Sequence, residues 1–383
     1  MFKNSTMCKV CGGDFFSQPL VAYSNVPNSA QGFLDAPNGT NDVVNLVIYQ
    51  CQNCGLVQHN LPPVGYYKDV IRAIAYSPEM REFRLKQIGG WIAQYHLGRK
   101  RILEVGCGKG EYLDLLRASG AESVFGIENS VQSVAIAGRQ GFDAKPGYLS
   151  SDFSNPWNDK FDAFAIFSFM EHWPDINTSL RQLNKLLNDG AVGLIEVPNF
   201  EFIFNNGMYS EFMPDHIYYF DRQTLRTVLE INGFEVVIVD SIWHNYILSA
   251  QVKKKSRLLT GVFVSKQEKL VDELQHYVRR FPKQEIVVWG AGHQALTVMS
   301  LANMQDHVSH VIDSAPFKQG KFTPGTHLLI KNPESIKEDK PQAIIVMAAA
   351  YSDEVVRLLR SSYSEIRHIA VLRADGVELV RNG

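Results

Sequence analysis

Three glycines at alternate positions separate an apolar run from a predicted helix. The run contains Glu104, the glycines are Gly106, Gly108 and Gly110, and the helix is expected over Glu111–Ala118. Glycine permits positive φ angles and lets a ligand approach the backbone closely. The spacing G-x-G-x-G differs from the G-x-G-x-x-G of dinucleotide sites, whose third glycine packs a helix beneath a pyrophosphate. The loop therefore predicts a nucleoside ligand without phosphates, and S-adenosylmethionine (SAM) is the common one.

An acidic residue, Glu128, ends the next predicted strand, 123–128. Ligands of open α/β sheets bind beyond the carboxyl ends of the strands, where a carboxylate can accept hydrogen bonds from both ribose hydroxyls. The alternative is an ordinary exposed carboxylate. We expect Glu104, the three glycines and Glu128 to bind SAM, which makes methyl transfer the predicted chemistry.

Two later segments contain histidines suited to proton transfer. His172 follows the predicted strand 161–167, and His216 comes directly after Asp215 in an aromatic stretch. Histidine titrates nearest neutrality and serves as a general base, and a neighbouring carboxylate can fix its tautomer. We expect His216 to be the base, with His172 as a second candidate. The alternative for both is a packing role that closes the ligand crevice.

Four of the five cysteines form two C-x-x-C-G units, Cys8/Cys11 and Cys51/Cys54. Four thiolates make a tetrahedral set that suits Zn²⁺ and leaves no open position, so the metal would be structural. The intervening residues 43–49 have the pattern of a strand, which fits a zinc ribbon with two knuckles on short hairpins. Reduced cysteines without metal and redox-active pairs are the alternatives.

The composition excludes several classes of protein. The chain has 383 residues, 45% of them apolar, and a formal net charge of −2. This charge gives no electrostatic footprint for nucleic acid. We find no apolar stretch with the length of a signal-peptide core or a membrane span, and an odd number of cysteines argues against a secreted disulfide framework. We expect a soluble cytoplasmic protein of two or three domains that acts on a small molecule.

Apolar strands and helices alternate from residue 78 onward, which predicts a parallel sheet. The expected strands are 101–105, 123–128, 161–167 and 192–197, and the expected helices are 78–95, 111–118, 131–140 and 176–187. After a helical connector at 257–281, a second alternation begins with the strand 286–289. The predicted fold class is α/β, with a Rossmann-like SAM domain, an N-terminal zinc ribbon and a smaller C-terminal Rossmann-like domain.

The second alternation contains a competing motif. Residues 290–295 (GAGHQA) fit G-x-G-x-x-A after a strand, and Asp313 ends the following strand, as a dinucleotide site requires. An NAD-dependent oxidoreductase is thus one alternative, although the same turn also packs a helix onto a sheet without any ligand. A zinc ribbon on an inactive SAM domain, acting as an interaction module, is another. The intact glycine loop with Glu128 argues against the inactive form.

Two stretches resemble known families. Residues 167–175 (FSFMEHWPD) resemble the segment of class I SAM-dependent methyltransferases that lies beside the methionine and the transferred methyl group. Residues 311–327 (VIDSAPFKQGKFTPGTH) are very similar to a signature of the last domain of three-domain sugar C-methyltransferases. Together with the paired cysteines, the glycine loop and the His216 segment, the resemblance to that family covers nearly the whole chain.

The resemblance implies a zinc-binding module at 1–65, a class I SAM-dependent methyltransferase domain at 66–255 and a C-terminal Rossmann-like domain at 256–383. It implies that Ser168 lies beside the cofactor, and it matches Tyr76 to an active-site tyrosine of the family. The implied substrate is a nucleotide-linked 4-keto-deoxysugar. Deprotonation beside the ketone gives an enolate, whose carbon attacks the methyl group of SAM in line.

The chain departs from the family at the catalytic segment. The family has Tyr-x-Glu-His where this chain has Met213-Pro214-Asp215-His216. The histidine is kept, the acid is shortened and the tyrosine is absent. Because that tyrosine is one of the groups expected to handle the enolate proton, an O-methyltransferase that uses His216 to deprotonate a hydroxyl is also an alternative.

Overall fold

Two α/β units, Met1–Ser256 and Arg257–Gly383, make up the computed structural model, which describes residues 7–31, 33, 42–69 and 76–380. The predicted α/β class is confirmed. The strands of the first unit are β1 (Val21–Pro27), β2 (Val43–Gln50), β3 (Val57–His59), β4 (Arg101–Val105), β5 (Ser123–Glu128), β6 (Asp143–Pro146), β7 (Phe161–Phe167), β8 (Leu187–Pro198), β9 (Tyr218–Tyr219), β10 (Phe234–Ile242) and β11 (Ile247–Lys254). Its helices are α1 (Pro78–Gln94), α2 (Glu111–Ala118), α3 (Val131–Arg139), α4 (Ile176–Leu186), α5 (Phe200–Asn205) and α6 (Arg222–Ile231).

The large sheet of the first unit has seven strands in the order β10-β11-β8-β7-β4-β5-β6. Strand β11 is antiparallel to both of its neighbours, and the other strands run parallel to one another. The chain moves outward from β4 through β5 and β6, and then returns to place β7 on the other side of β4. This reversal brings the carboxyl ends of β4 and β7 together, which is where open α/β sheets bind their ligands.

Alternate residues of the central strands face two different cores. Phe164 and Ile166 of β7 lie in one buried cluster, whereas Ala163, Ala165 and Phe167 lie in another. Helices α4 and α6 contribute to the first cluster, and helices α1 and α2 contribute to the second. Because both faces are covered, such a strand is apolar at nearly every position and appears in the sequence as a continuous apolar run.

A buried ion pair joins α1 to the sheet. Arg84 Nη1 of α1 lies 2.5 Å from Glu196 Oε2 of β8, and the exposed fractions of the two side chains are 2% and 0%. Gln87 and Ser249 donate hydrogen bonds to Glu196 Oε1. The guanidinium carbon of Arg84 also lies 5.5 Å from the centre of the Tyr112 ring. The network therefore supports an aromatic side chain that lines the site described below.

A small sheet connects the N-terminal strands to the rest of the first unit. Its order is β1-β2-β3-β9. Val57 and Gln58 of β3 pair with Tyr219 and Tyr218 of β9 in antiparallel register. Strand β9 begins two residues after His216, so the N-terminal strands are hydrogen-bonded to the segment that follows the predicted base.

The second unit repeats the α/β pattern on a smaller scale. Its helices are α7 (Gly261–Val278), α8 (His293–Leu301), α9 (Ser335–Asp339) and α10 (Ser352–Ser362), and its strands are β12 (Ile286–Trp289), β13 (Val311–Ile312), β14 (Ile330–Lys331), β15 (Ala343–Val346), β16 (His368–Leu372) and β17 (Val377–Val380). The strand order is β14-β13-β12-β15-β16-β17, with β17 antiparallel to β16 and the other pairs parallel. In neither unit do the described residues include a helix long and apolar enough to cross a bilayer.

Candidate active site and cysteine cluster

The loop after β4 turns at all three predicted glycines. Their φ angles are 77° at Gly106, 55° at Gly108 and 97° at Gly110, a range that residues with a Cβ rarely adopt. A Cβ on Gly110 would also lie 3.0 Å from Phe142 Cδ2. The backbone of the loop therefore requires glycine even before a ligand is considered.

Glu128 lies at the carboxyl end of β5 and is 1% exposed. Its carboxylate accepts hydrogen bonds from the N–H of Gly108 at 3.1 Å and from the N–H of Ser130 at 2.9 Å. A carboxylate accepts hydrogen bonds through both of its oxygens, which is the chemistry that the two hydroxyls of a ribose require. Glu128 thus holds the glycine loop in place and offers the acceptors that a nucleoside site requires.

Glu104 and Gly108 lie behind the residues that form the walls of the site. Glu104 is fully buried in β4, where its backbone lies opposite Gly126 of β5 and Ala165 of β7. Neither Glu104 nor Gly108 lines the two cavities that the described residues form at this end of the sheet. Gly106 does line one of them.

The smaller of these cavities lies between the glycine loop and β5 and measures about 10 Å³. Gly106, Glu128 and Phe169 line it together with Lys68 and Tyr148. The ammonium nitrogen of Lys68 lies 5.7 Å from the centre of the Tyr148 ring. A cavity of this size holds at most about one water, so a nucleoside can enter only when side chains in the wall change position.

A larger cavity of about 540 Å³ shares Phe169 with the first, and its size is that of a small-molecule site. Five of the predicted site residues line it, from three stretches of the chain: Tyr76, Ser168, His172, Asp215 and His216. The fold therefore gathers the candidate catalytic residues around one space.

An aromatic wall connects Tyr76 to the end of β7. The ring of Tyr76 lies edge-on to Tyr112 at 6.2 Å between centres, and Tyr112 stacks on Phe167 at 4.3 Å. Ser168, the next residue, has a φ angle of 46° and donates its N–H to the Glu196 carbonyl at 3.0 Å. Residues other than glycine in such conformations are concentrated at functional sites, because the surrounding structure must stabilise them.

Asp215 is 5% exposed, and its carboxylate and its backbone carbonyl accept hydrogen bonds from different partners. The carboxylate accepts hydrogen bonds from the N–H of Ala30 at 2.7 Å and from the hydroxyl of Tyr66. The backbone carbonyl accepts one from Nδ1 of His172 at 2.8 Å. Because a carbonyl only accepts, His172 carries its proton on Nδ1 and presents a lone pair on Nε2. The carbonyl of Asp215 therefore fixes the tautomer of His172.

His172 and His216 form a neutral pair. Their rings are edge-on at 4.8 Å between centres. Burial, and then the neighbouring His172, lower the pKa of His216 to about 3. Burial also lowers the pKa of His172. Both rings are therefore unprotonated near pH 7, which is the state that a general base requires.

Glu171 adds a buried acid to this pair. It is 1% exposed, and its Oε1 lies 4.0 Å from Nε2 of His172. Burial raises the pKa of Glu171 to about 8, so its carboxyl group holds a proton at neutral pH. The 4.0 Å separation is wider than the ligand spacing of about 3.3 Å around a tetrahedral metal with bonds of about 2.0 Å. The same distance is also longer than a hydrogen bond, so Glu171 and His172 do not share a proton directly.

Three further residues contact this region without having been predicted as site residues: Tyr66, Tyr112 and His59. Tyr66 follows Pro-Pro-Val-Gly, and two consecutive tyrosines there were the available signal. No pattern marks Tyr112 on α2 or His59 at the end of β3, because their partners are distant in sequence.

The four predicted zinc ligands lie together in the first unit. Their Sγ atoms are all within 4.8 Å of one another, with 3.7 Å between Cys8 and Cys54 and 3.5 Å between Cys11 and Cys51. A tetrahedral Zn²⁺ with bonds of about 2.3 Å has edges of about 3.8 Å. The cluster could therefore hold this metal with little rearrangement.

Hydrogen-bond donors surround the sulfur atoms. The N–H of Gly13 donates to Cys11 Sγ at 3.4 Å, and Nε2 of Gln58 donates to Cys8 Sγ at 3.1 Å. Such donors favour the thiolate, which is the form that binds metal. Four protein sulfurs leave no position for a substrate, so the site has the character of a structural centre.

The glycine at the turn after β12 is required by the packing of the backbone, whether or not a ligand binds there. A Cβ on Gly290 would lie 2.5 Å from the carbonyl oxygen of Met347. Asp313 Oδ2 accepts hydrogen bonds from the N–H of Ala291 at 2.8 Å and from Lys318 at 2.9 Å. Lys318 thus neutralises the carboxylate that an NAD ribose would require.

Two family models match the chain in succession. Residues 79–239 match a methyltransferase domain, and residues 256–369 match a C-methyltransferase C-terminal domain. The C-methyltransferase NovU of Streptomyces niveus is 20% identical over 389 aligned positions, which cover 91% of this chain and 91% of NovU. The similarity therefore extends over both units and not over a single domain.

Two solved methyltransferase structures each match less than half of the chain. A SAM-dependent methyltransferase from Mesorhizobium loti is 15% identical, covers 44% of this chain and 100% of its own, and has a TM-score of 0.35. Magnesium protoporphyrin IX methyltransferase from Synechocystis PCC 6803, with bound SAH, is 15% identical, covers 46% and 84%, and has a TM-score of 0.37. Scores this low add nothing about function.

The glycine loop and Glu128 lie at the switch point of the sheet, and the matched C-methyltransferase domain follows in the second unit. The chain belongs to the multi-domain C-methyltransferase family, and it is a SAM-dependent methyltransferase.

Proposed function

We propose that the protein C-methylates a nucleotide-linked 4-keto-deoxysugar through an enolate, with His216 as the general base. The observation that supports this most directly is the cavity of about 540 Å³. It combines two neutral histidines with phenol groups, and it adjoins the smaller cavity at the glycine loop. The cysteine cluster would hold a structural Zn²⁺ that takes no part in the chemistry.

His216 would remove the proton from the carbon beside the ketone. Its ring is neutral because burial lowers its pKa to about 3, and no hydrogen bond among the described residues occupies its ring nitrogens. The lone pair on Nε2 of His172 is available to share the proton, since Nδ1 of that ring is bonded to Asp215. A base of low pKa needs help from groups that stabilise the enolate.

Two tyrosines have hydroxyl groups near the site where an enolate would form. Tyr66 and Tyr76 line the cavity, and burial raises the pKa of both phenols. Both therefore keep their protons. Tyr76 can donate a hydrogen bond to the developing enolate oxygen, whereas Tyr66, whose hydroxyl donates to Asp215, would do so only if that hydrogen bond breaks. Tyr66 provides a phenol near Asp215 even though position 213 is methionine and not the tyrosine of the family.

SAM, when bound, supplies a methyl group on a sulfonium, which is already a strong electrophile. The enolate carbon would take this methyl group as its bond to sulfur breaks, which would restore the ketone and leave S-adenosylhomocysteine. The chain therefore has to position the two partners and exclude water. The glycine loop and Glu128 would hold the nucleoside, and the histidine cavity would hold the sugar.

Proton exchange tests this proposal without methyl transfer. The enzyme is incubated in D₂O with S-adenosylhomocysteine and a deoxythymidine-diphosphate 4-keto-6-deoxyhexose. We expect deuterium to enter beside the ketone with the wild-type protein and not with His216→Gln. The control is His310→Gln, which replaces another buried histidine in the second unit and should exchange normally. If the wild type binds S-adenosylhomocysteine but exchanges no deuterium, the enolate mechanism is wrong.

A further inference from the structure

A buried histidine of the N-terminal strands reaches the segment that carries His216. His59 ends β3 and is fully buried. Its Nε2 lies 3.0 Å from the carbonyl oxygen of Pro214, and the N–H of Leu61 donates to its Nδ1 at 3.1 Å. Because Nδ1 accepts, the proton is on Nε2 and is donated to Pro214. The ring therefore has a single tautomer with both nitrogens bonded.

The next carbonyl along the chain is held by a second histidine. Asp215 accepts from Nδ1 of His172 at 2.8 Å, directly after Pro214 accepts from His59. Two neutral histidines thus bind consecutive carbonyl groups immediately before His216. This arrangement defines the orientation of both peptide planes that lead to the candidate base.

The residue before His59 contacts the cysteine cluster. Gln58 is fully buried, and it donates to Cys8 Sγ at 3.1 Å and accepts from the N–H of Lys9 at 3.0 Å. Successive residues of a strand point to opposite faces. Strand β3 therefore contacts the cluster with one residue and the His216 segment with the next.

We propose that His59 is a positioning residue for methyl transfer: through the carbonyl of Pro214 it sets the backbone from which His216 projects into the cavity. The inference rests on the proposed role of His216 and deepens it. It makes the N-terminal strands part of the catalytic arrangement, because their last member places the base.

Loss of this hydrogen bond has a predictable consequence. Pro214 is buried, so water cannot readily replace the donor that its carbonyl loses. The unsatisfied carbonyl is unfavourable in the interior, and the peptide can lower this cost by rotating toward another donor. Rotation there displaces the ring of His216. A displacement of about 1 Å of a reacting group costs about 10²-fold in rate.

The main test compares His59→Phe with His59→Gln. The first removes the donor and keeps a ring, and we expect kcat to fall about 100-fold while the Kd for SAM stays within twofold. The second restores an N–H donor on a side chain of similar reach, and we expect it to recover at least tenfold of that loss. Equal losses in both variants, or no loss in His59→Phe, would contradict a positioning role.

A matched control separates positioning from simple loss of stability. Leu46→Ala truncates a fully buried residue of the same small sheet and leaves the His59–Pro214 bond in place. At a comparable loss of unfolding free energy, this variant should keep kcat within threefold of wild type. If its kcat falls as far as that of His59→Phe, the effect of His59 is only structural.

A readout that needs no turnover keeps the two proposals apart. Ring resonances of His216 in histidine-labelled protein should shift in His59→Phe and stay unchanged in Leu46→Ala. If the wild type fails the deuterium-exchange test, the proposed function fails, and these resonances still decide whether His59 positions His216. Unchanged His216 resonances in His59→Phe would overturn the inference.

Discussion

Arg84 Nη1 and Glu196 Oε2 lie 2.5 Å apart with both side chains almost fully buried. The pair joins helix α1 to strand β8 and supports the ring of Tyr112 from behind. A buried ion pair contributes little by itself relative to an apolar pair, but removal of one partner leaves an uncompensated charge in the interior.

We therefore expect Glu196→Ala to lower the free energy of unfolding by about 3–5 kcal/mol, because Arg84 then loses its counter-ion. Urea denaturation followed by tryptophan fluorescence measures this change. The double variant Arg84→Met/Glu196→Leu should lose much less than the single one. A double variant at least as unstable as Glu196→Ala would show that uncompensated charge is not the cause.

Glu128→Ala should weaken SAM binding about 10- to 100-fold, which corresponds to about 1.5–3 kcal/mol for hydrogen bonds to a charged group. The variant also frees the N–H of Gly108, which Glu128 now binds. Isothermal titration calorimetry gives the affinity, and circular dichroism checks the fold. Glu122→Ala, which removes a carboxylate that is 68% exposed, is the control and should bind normally. Wild-type affinity in Glu128→Ala would remove Glu128 from the site.

Metal analysis should find one Zn²⁺ per chain, bound by the four cysteines whose Sγ atoms lie within 4.8 Å of one another. Cys51→Ser should lose the metal, and Cys107→Ser, which changes a buried cysteine of the glycine loop, should retain it. Chelation should expose the N-terminal strands to protease, because binding free energy contributes to folding. A wild-type protein that contains no zinc, or a Cys107→Ser variant that loses it, would contradict this assignment.

Stability should fall as the pH rises from 4.5 to about 8 because of Glu171. Burial raises its pKa from 4.5 to about 8, so the folded state binds a proton that the unfolded state releases between these values. The contribution is fully present below pH 4.5 and is lost as the pH rises through 8, by up to about 1.4 kcal/mol per pH unit. Unfolding free energies of Glu171→Gln at pH 6 and 8.5 should lack this decline. An equal decline in both proteins would mean that another group causes it.

His216 should have the opposite effect at acidic pH. Its pKa is lowered from 6.5 to about 3, so the unfolded state binds the additional proton. The contribution is present above pH 6.5 and is lost as the pH falls toward 3. Compared with wild type, His216→Gln should therefore lose less unfolding free energy between pH 7.5 and 5. Chemical denaturation at the two pH values measures the difference, and identical losses would contradict the low pKa.

Some elements could be predicted because their physical causes act over a few neighbouring residues. The apolar runs of β4, β5 and β7 became strands with the expected bounds. Positive φ angles occur at the three glycines of the loop. The two C-x-x-C-G units needed only their own spacing to indicate a four-sulfur cluster. The start of strand β8 was predicted at 192, but the strand begins at Leu187. The polar residues between these two positions interrupt the apolar pattern that would have marked it.

Patterns along the chain were therefore enough to predict the α/β class, the glycine loop, the cysteine cluster and histidines as candidate bases. Which groups lie around His216 depends on contacts between segments that are far apart in sequence. His59 and Pro214 are 155 positions apart, and Tyr66 and Asp215 are 149 apart, so no local pattern connects them. The neutral state of His216 likewise depends on burial among residues from distant segments. Propensity and spacing act along the chain, whereas hydrogen bonding and desolvation at the site act across space.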